Sequence, residues 1–300
     1  MIIRIANFKK AGSWDKITIS KNRRNTDMIE KLTGKADMHS LALISDITYA
    51  HQVYWFNNTM KPMKMSLILP KNRPYESPRP LIVWLCGGGF SVMDKDVWIP
   101  ELIYFAQHGY TVASIEYRTS NESVFPDPVV DIKAAIRYLR AHAADFFVDP
   151  EKVILAGESA GACLSLLAAS SDGISLFEKG DYLEQPSSVS AVIDFYGTAY
   201  LDYEHNIYPG GEETDTGNPD VKAGWIPSML SEKMPPVMIL HGDQDPFVPI
   251  QHSYDLHERL QELNVPCEML VFEGTGHGAD EFYQPETLDR VLDFLKRYVK

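Results

Sequence analysis

Cysteine is scarce, with three residues in a chain of 300. Cys86, Cys163 and Cys267 are scattered, and an odd number builds no disulfide framework. That usage suits a reduced compartment, so a cytoplasmic location is expected. Long apolar runs are also missing. Nothing approaches the roughly 20 residues of a membrane-spanning helix, and no apolar h-region follows the basic N-terminal residues. The expectation is a soluble, unexported chain without a membrane span. Positive charge is in deficit: 28 Lys and Arg face 41 Asp and Glu, for a net charge of −13. A phosphate-backbone partner needs a basic face, so no nucleic acid is expected. Metal motifs are lacking too, since the cysteines are dispersed and no H-E-x-x-H occurs.

Apolar residues are plentiful, at 45% of the chain, enough for a substantial core. Their pattern is uneven. Residues 1–44 lack strong periodicity and carry Arg4, Lys9, Lys10, Lys16, Lys21, Arg23 and Arg24 against Asp15. This stretch reads as an extension acting as an arm, a lid or a homo-oligomer contact. From Asp46 onward, strand and helix patterns alternate. Strands are expected at 46–56, 63–69, 81–86, 110–117, 152–156, 189–196, 236–241 and 267–272. Helices are expected at 97–107, 126–144, 250–263 and 285–298, the last with proline in its first turn. The run Leu81-Ile-Val-Trp-Leu-Cys86 has no polar alternation, as befits a strand covered on both faces. The expected class is therefore α/β, a mainly parallel twisted sheet flanked by helices, with ligands at the strands' carboxyl ends. One irregular insertion, at about 199–234, interrupts the alternation inside a domain spanning 45–300.

The most informative stretch is Gly157-Glu158-Ser159-Ala160-Gly161, set between the β-branched strand 152–156 and a helix-prone run of small and apolar residues. This G-x-S-x-G pattern belongs to a sharp strand-to-helix turn that exposes its serine. A serine hydroxyl needs a base within hydrogen-bond reach. Two later strand ends supply partners. One leads into His241-Gly-Asp-Gln-Asp245-Pro-Phe-Val-Pro249, the other into Glu273-Gly-Thr-Gly-His277-Gly278. The order Ser159, Asp245, His277 matches the α/β-hydrolase order. His277 would be the proton carrier, with Asp245 holding its tautomer and stabilising the imidazolium. His241 and Asp243 are the rival candidates: His241 shapes the turn, or Asp243 braces the loop as an Asx turn. The second requirement is a set of backbone donors for a developing oxyanion. Cys86-Gly87-Gly88-Gly89-Phe90 after the buried strand can supply them, and the Ala160 amide adds another.

With these pieces in view, the chain from about Asp46 onward resembles an α/β-hydrolase carboxylesterase. It is similar to hormone-sensitive-lipase-like and bacterial feruloyl- or acetyl-esterase-like members of that superfamily. The matching pieces are the loop 86–90, Glu116-Tyr117-Arg118, the pentapeptide, the loop 241–249 and Gly276-His277-Gly278. The resemblance implies Ser159, Asp245 and His277 as a triad and Gly88, Gly89 and Ala160 as oxyanion donors. Tyr117 and Arg118 it makes structural. The chain departs from the pattern at one point: Cys86 stands where the His-Gly-Gly-Gly loop usually opens with histidine. Neither metal nor organic cofactor is implied. The implied partner is a small ester with a short acyl group, including acetyl or hydroxycinnamoyl esters of plant-derived carbohydrate. Phe90, Trp98, Tyr196, Trp225 and Phe247 are candidate pocket walls. Two other readings stay open: a serine peptidase of the prolyl-oligopeptidase type, and a non-catalytic hydrolase-fold binding protein.

Overall fold

The computed structural model describes residues 33–34, 40–54, 59–71, 77–199 and 226–300. The chain divides into two compact units, Met1–Asp37 and Met38–Lys300. Every element below belongs to the second. Most of the 1–44 extension and residues 200–225 of the expected insertion, Trp225 among them, lie outside the described residues.

The sheet starts with a hairpin. Strands β1 (Leu41–Tyr54) and β2 (Thr59–Pro70) pair antiparallel, with register shifts at 44/47 and 48/50. Both run longer than their apolar patterns predict, because an edge hairpin continues its ladder past the last buried residue. β1 opens at Leu41, so the end of the 1–44 segment is already strand. Six strands then run parallel: β3 (Arg79–Leu85), β4 (Thr111–Ile115), β5 (Val148–Glu158), β6 (Ala191–Phe195), β7 (Val237–Gly242) and β8 (Cys267–Phe272). The order across the eight strands is β1-β2-β4-β3-β5-β6-β7-β8, with β2 antiparallel to β4.

Helices cover both faces, which explains the unbroken apolar strands. Leu81, Val83 and Leu85 point into a core shared with α2 (Asp127–Ala141), α4 (Ala160–Ser170) and α6 (Gln251–Glu262). Ile82 and Trp84 point into the opposite core, shared with α1 (Ile99–Gln107) and α7 (Pro285–Tyr298). On α7, Leu288, Val291, Leu292 and Leu295 recur at helical spacing and are all buried, which pins it to the sheet. The helix predicted over 126–144 is two pieces, because the backbone leaves helical geometry at His142 and resumes as α3 (Ala143–Phe146). A four-residue α5 (Ile226–Met229) precedes β7, and a 3-10 turn (Asp280–Tyr283) leads into α7. Among the described residues, no helix is long and apolar enough to cross a membrane.

Behind the rim sits a buried ion pair. Arg118, just after β4, donates from Nε and one terminal nitrogen to the two oxygens of Asp131 on α2, each at 2.8 Å. A third bond reaches Asp127 at 2.8 Å. Removing either partner would strand a charge in the core, the costly half of a buried pair. The neighbouring Tyr117 hydroxyl donates to the Cys86 carbonyl at 2.6 Å, tying the end of β4 to the glycine loop.

Candidate active site

Three strand ends meet at one rim. β5 runs into α4 through Ser159, whose backbone is held at φ 52° and ψ −121°, strained for a residue with a side chain. That strain is fixed by close packing. A Cβ on Gly161 would come within 2.1 Å of the Leu85 carbonyl oxygen, so only glycine lets the start of α4 approach the end of β3. The β7 loop supplies Asp245 and the β8 loop supplies His277.

Their side chains connect in series. His277 Nδ1 lies 2.6 Å from Asp245 Oδ2, and His277 Nε2 lies 2.9 Å from Ser159 Oγ. Because the carboxylate accepts from Nδ1–H, the other ring nitrogen carries a lone pair facing the hydroxyl. The Asp245 side chain is fully buried, and its Oδ1 accepts from the amides of Phe247 at 2.8 Å and Val248 at 2.9 Å. Those bonds fix the carboxylate's orientation. An imidazole so placed can take a proton from the hydroxyl and return it to a leaving group.

The rival candidates have other partners. His241 is wholly buried, with Nε2 2.9 Å from the Val248 carbonyl and 3.3 Å from Asp245 Oδ2, and with Nδ1 2.7 Å from Ser253 Oγ. Nε2–H donates to the carbonyl and the serine hydroxyl donates to Nδ1, which is a neutral ring. Burial lowers its pKa accordingly. It braces the loop that carries Asp245. Asp243 accepts from the Gly274 amide at 2.7 Å, tying the β7 loop to the β8 loop.

The glycine loop follows β3, the strand next to β5 in the sheet. Gly88, Gly89 and Phe90 take consecutive positive φ values of 121°, 59° and 62°. A Cβ at Gly88 would meet the Val92 carbonyl oxygen at 2.1 Å, so the tight turn requires glycine there. Ala160 opens α4, and its amide therefore has no acceptor within the helix. These are the three amides expected to serve as oxyanion donors.

Cys86 does not replace the usual histidine chemically. Its side chain is buried and its thiol pKa is pushed up to about 11, chiefly by burial. The loop is held instead by Glu158, the variable residue of the pentapeptide. One carboxylate oxygen of Glu158 accepts from both the Gly87 amide and Trp98 Nε1, the latter at 3.1 Å. Burial raises the pKa of this carboxyl. Trp98 stacks on Tyr283 at 4.4 Å, Tyr283 shares a 2.5 Å hydroxyl contact with Tyr196, and the Tyr196 ring packs edge-on against His277 at 4.7 Å. An aromatic chain thus joins the imidazole to the glycine loop. Glu158 and Tyr283 were not singled out from sequence. The only signal was an acid placed beside a buried strand end.

The expected pocket walls divide. Phe247 is 77% exposed with its ring 5.5 Å from His277, at the mouth of the site. Phe90 and Tyr196, expected as walls, are 4% and 0% exposed and pack in the two cores on either side of the sheet. Trp98 is half-buried and acts as a brace through Glu158 and Tyr283.

The BD-FAE family pattern matches residues 65–260, well over half the chain. The chain belongs to the BD-FAE family. The matched span runs from β2 into α6, so it includes the glycine loop, the elbow and the Asp245 loop and stops before His277. A probable carboxylic ester hydrolase of Mycobacterium tuberculosis, LipM, is 28% identical over 62% of this chain and 46% of its own length. An acetyl esterase of Salmonella schwarzengrund is 26% identical over 68% of this chain and 66% of its own. This BD-FAE chain spans about half the length of several curated relatives it matches. Among solved structures, a propionate-bound thermophilic esterase from Thermogutta terrifontis superposes with a TM-score of 0.67 at 27% identity. It covers 79% of this chain and 90% of its own. The architecture is the α/β-hydrolase fold of these esterases.

Proposed function

We propose that the protein is a serine-dependent carboxylic ester hydrolase working through an acyl-enzyme on Ser159. The observation that carries this reading is the unbroken run of hydrogen bonds from Asp245 through His277 to Ser159. As Ser159 Oγ attacks the ester carbonyl, His277 Nε2 takes its proton, and the carbonyl oxygen, now negative, is received by the amides of Gly88, Gly89 and Ala160. Collapse breaks the bond to the alcohol, which leaves with the proton from His277. Water then adds to the acyl-enzyme, giving its proton to the same ring, and the acid departs as Ser159 is restored.

The natural substrates in this reading are small or short-chain acyl esters, including acetyl or hydroxycinnamoyl esters of plant-derived carbohydrate. Support comes from the acetyl esterase relative and from the propionate-bound neighbour. A cytoplasmic location belongs to the same reading, in keeping with three free cysteines.

The test is a panel of acetyl, butyryl, octanoyl and feruloyl esters, offered to wild type and to Ser159→Ala. Wild type should turn over the short and feruloyl members. The variant should lose about 10³-fold or more in kcat while its thermal melting stays near that of wild type. Retained turnover in the variant would move the nucleophile elsewhere.

A further inference from the structure

Phe247 is the most exposed large apolar side chain among the described residues, and every other described phenylalanine is buried or partly so. A single apolar residue on a surface ordinarily calls for no explanation. This one stands apart through its neighbour and its mounting. Its ring lies 5.5 Å from the His277 imidazole, turned 71° to it.

The segment that carries the ring is held from within. The Phe247 and Val248 amides both donate to Asp245 Oδ1, at 2.8 and 2.9 Å. The Val248 carbonyl accepts from His241 Nε2 at 2.9 Å, and the Pro249 carbonyl accepts from the His252 amide at 3.0 Å, in the first turn of α6. Pro246 and Pro249 have no N–H to offer. The stretch 246–249 therefore shows a ligand four apolar side chains in a row, with both of its N–H groups already engaged. A platform fixed in advance costs a ligand little ordering.

Sheet order indicates which half of an ester meets it. The glycine loop, which would receive the carbonyl oxygen, follows β3 on one side of β5. Phe247 follows β7 on the other side, and His277 follows β8 beyond it. The departing alcohol oxygen must come within roughly 3 Å of His277 Nε2 to collect its proton. The group carried on that oxygen thus leaves on the side of the β7 and β8 loops, where Phe247 stands.

We propose that Phe247 is a specificity-determining residue that receives the alcohol half of the ester and favours an apolar, ring-bearing alcohol. The proposal rests on the esterase reading of the same site. A phenyl ring gains attraction from another ring beyond the area the two cover. A charged or polyhydroxylated alcohol would find no free N–H on this segment and would lose water from its polar groups. Among the esters considered above, those of apolar ring alcohols rank ahead of those of carbohydrate hydroxyls.

The test compares kcat/KM for benzyl acetate, ethyl acetate and ethyl phenylacetate in wild type, Phe247→Ala and Phe247→Trp. The first two share an acyl group, and the third moves the ring to the acyl side. The quantity read is each ring ester's kcat/KM divided by that for ethyl acetate, which cancels losses common to all substrates. Phe247→Ala should lower the benzyl acetate ratio about tenfold, and Phe247→Trp should restore it to within about twofold of wild type. A ratio unchanged in Phe247→Ala would overturn the proposal. A fall confined to ethyl phenylacetate, or equal for both ring esters, would overturn the assignment to the alcohol half. Saturation-transfer NMR with benzyl alcohol on the full chain separates this inference from the reading beneath it. Benzyl alcohol bound by wild type and lost in Phe247→Ala, with no ester cleaved, sinks the hydrolase reading alone. Ester cleavage with flat ratios and no bound benzyl alcohol sinks the role of Phe247 alone, and neither cleavage nor binding sinks both.

Discussion

At the scale of single residues, the site depends on which carboxylate faces His277. Asp243 and Asp245 are two positions apart in one loop, and both are acids on a strand's exit. Asp245 meets Nδ1, whereas Asp243 is spent on the Gly274 amide. Asp245→Asn should therefore lower kcat by about 10⁴, because an amide that donates to Nδ1 sets the wrong tautomer. Asp243→Asn should cost less than about tenfold, since an amide oxygen still accepts from Gly274. Steady-state turnover of p-nitrophenyl acetate ranks the two, and the reverse order would reassign the acid. Spacing alone left this choice open, because side-chain direction within a turn depends on φ and ψ that no residue type dictates. The brace formed by Glu158 and Trp98 was hidden for a related reason: its two members are 60 positions apart and meet only when the residue before α1 reaches the end of β5.

At the scale of elements, the strand-to-helix turn is legible because its glycines have a steric cause. Gly161 touches the Leu85 carbonyl, so β3, β5 and α4 are locked at one point. Gly161→Ala forces that contact apart and should destabilise the fold by about 2–3 kcal/mol. Urea denaturation reads the loss directly, and an unchanged midpoint would show that α4 can shift away from β3. The continuous apolar runs of β3 and β5 likewise announced strands with two buried faces, which the two cores on either side of the sheet explain. Edges were less legible. The β1–β2 hairpin extends past its apolar pattern, since backbone pairing continues where burial no longer selects side chains. The break at His142 was invisible because its flanking residues are all compatible with helix.

At the scale of the whole molecule, one buried acid should make stability depend on pH. Asp194 on β6 is fully buried, and among the described residues its Oδ2 has no hydrogen-bond partner. Burial pushes its pKa up to about 7, against the Gly197 amide, which pulls the other way through Oδ1. The folded state thus holds a proton there that the unfolded chain releases near pH 4. The resulting stabilisation is complete below about pH 4 and declines as pH rises toward 7. Asp194→Asn removes the titrating proton, so the stability gap between wild type and variant should move in the variant's favour from pH 5 to about pH 7 and level off above it. Urea melts at four pH values test this, and a gap that stays constant would place the Asp194 pKa in the usual carboxylate range.

The amino-acid order by itself determined the class of fold, the strand-to-helix elbow at Ser159 and the two later loops that bear Asp245 and His277. Each of these is local, since periodicity, glycine placement and strand exits are properties of short windows. Tertiary structure alone decided that Asp243 is turned to the Gly274 amide, that Phe90 and Tyr196 belong to the core, and that Glu158 rather than a histidine holds the glycine loop. Those facts depend on sheet order and on packing between distant segments, which are set by the summed burial of the whole chain and by no single stretch of it.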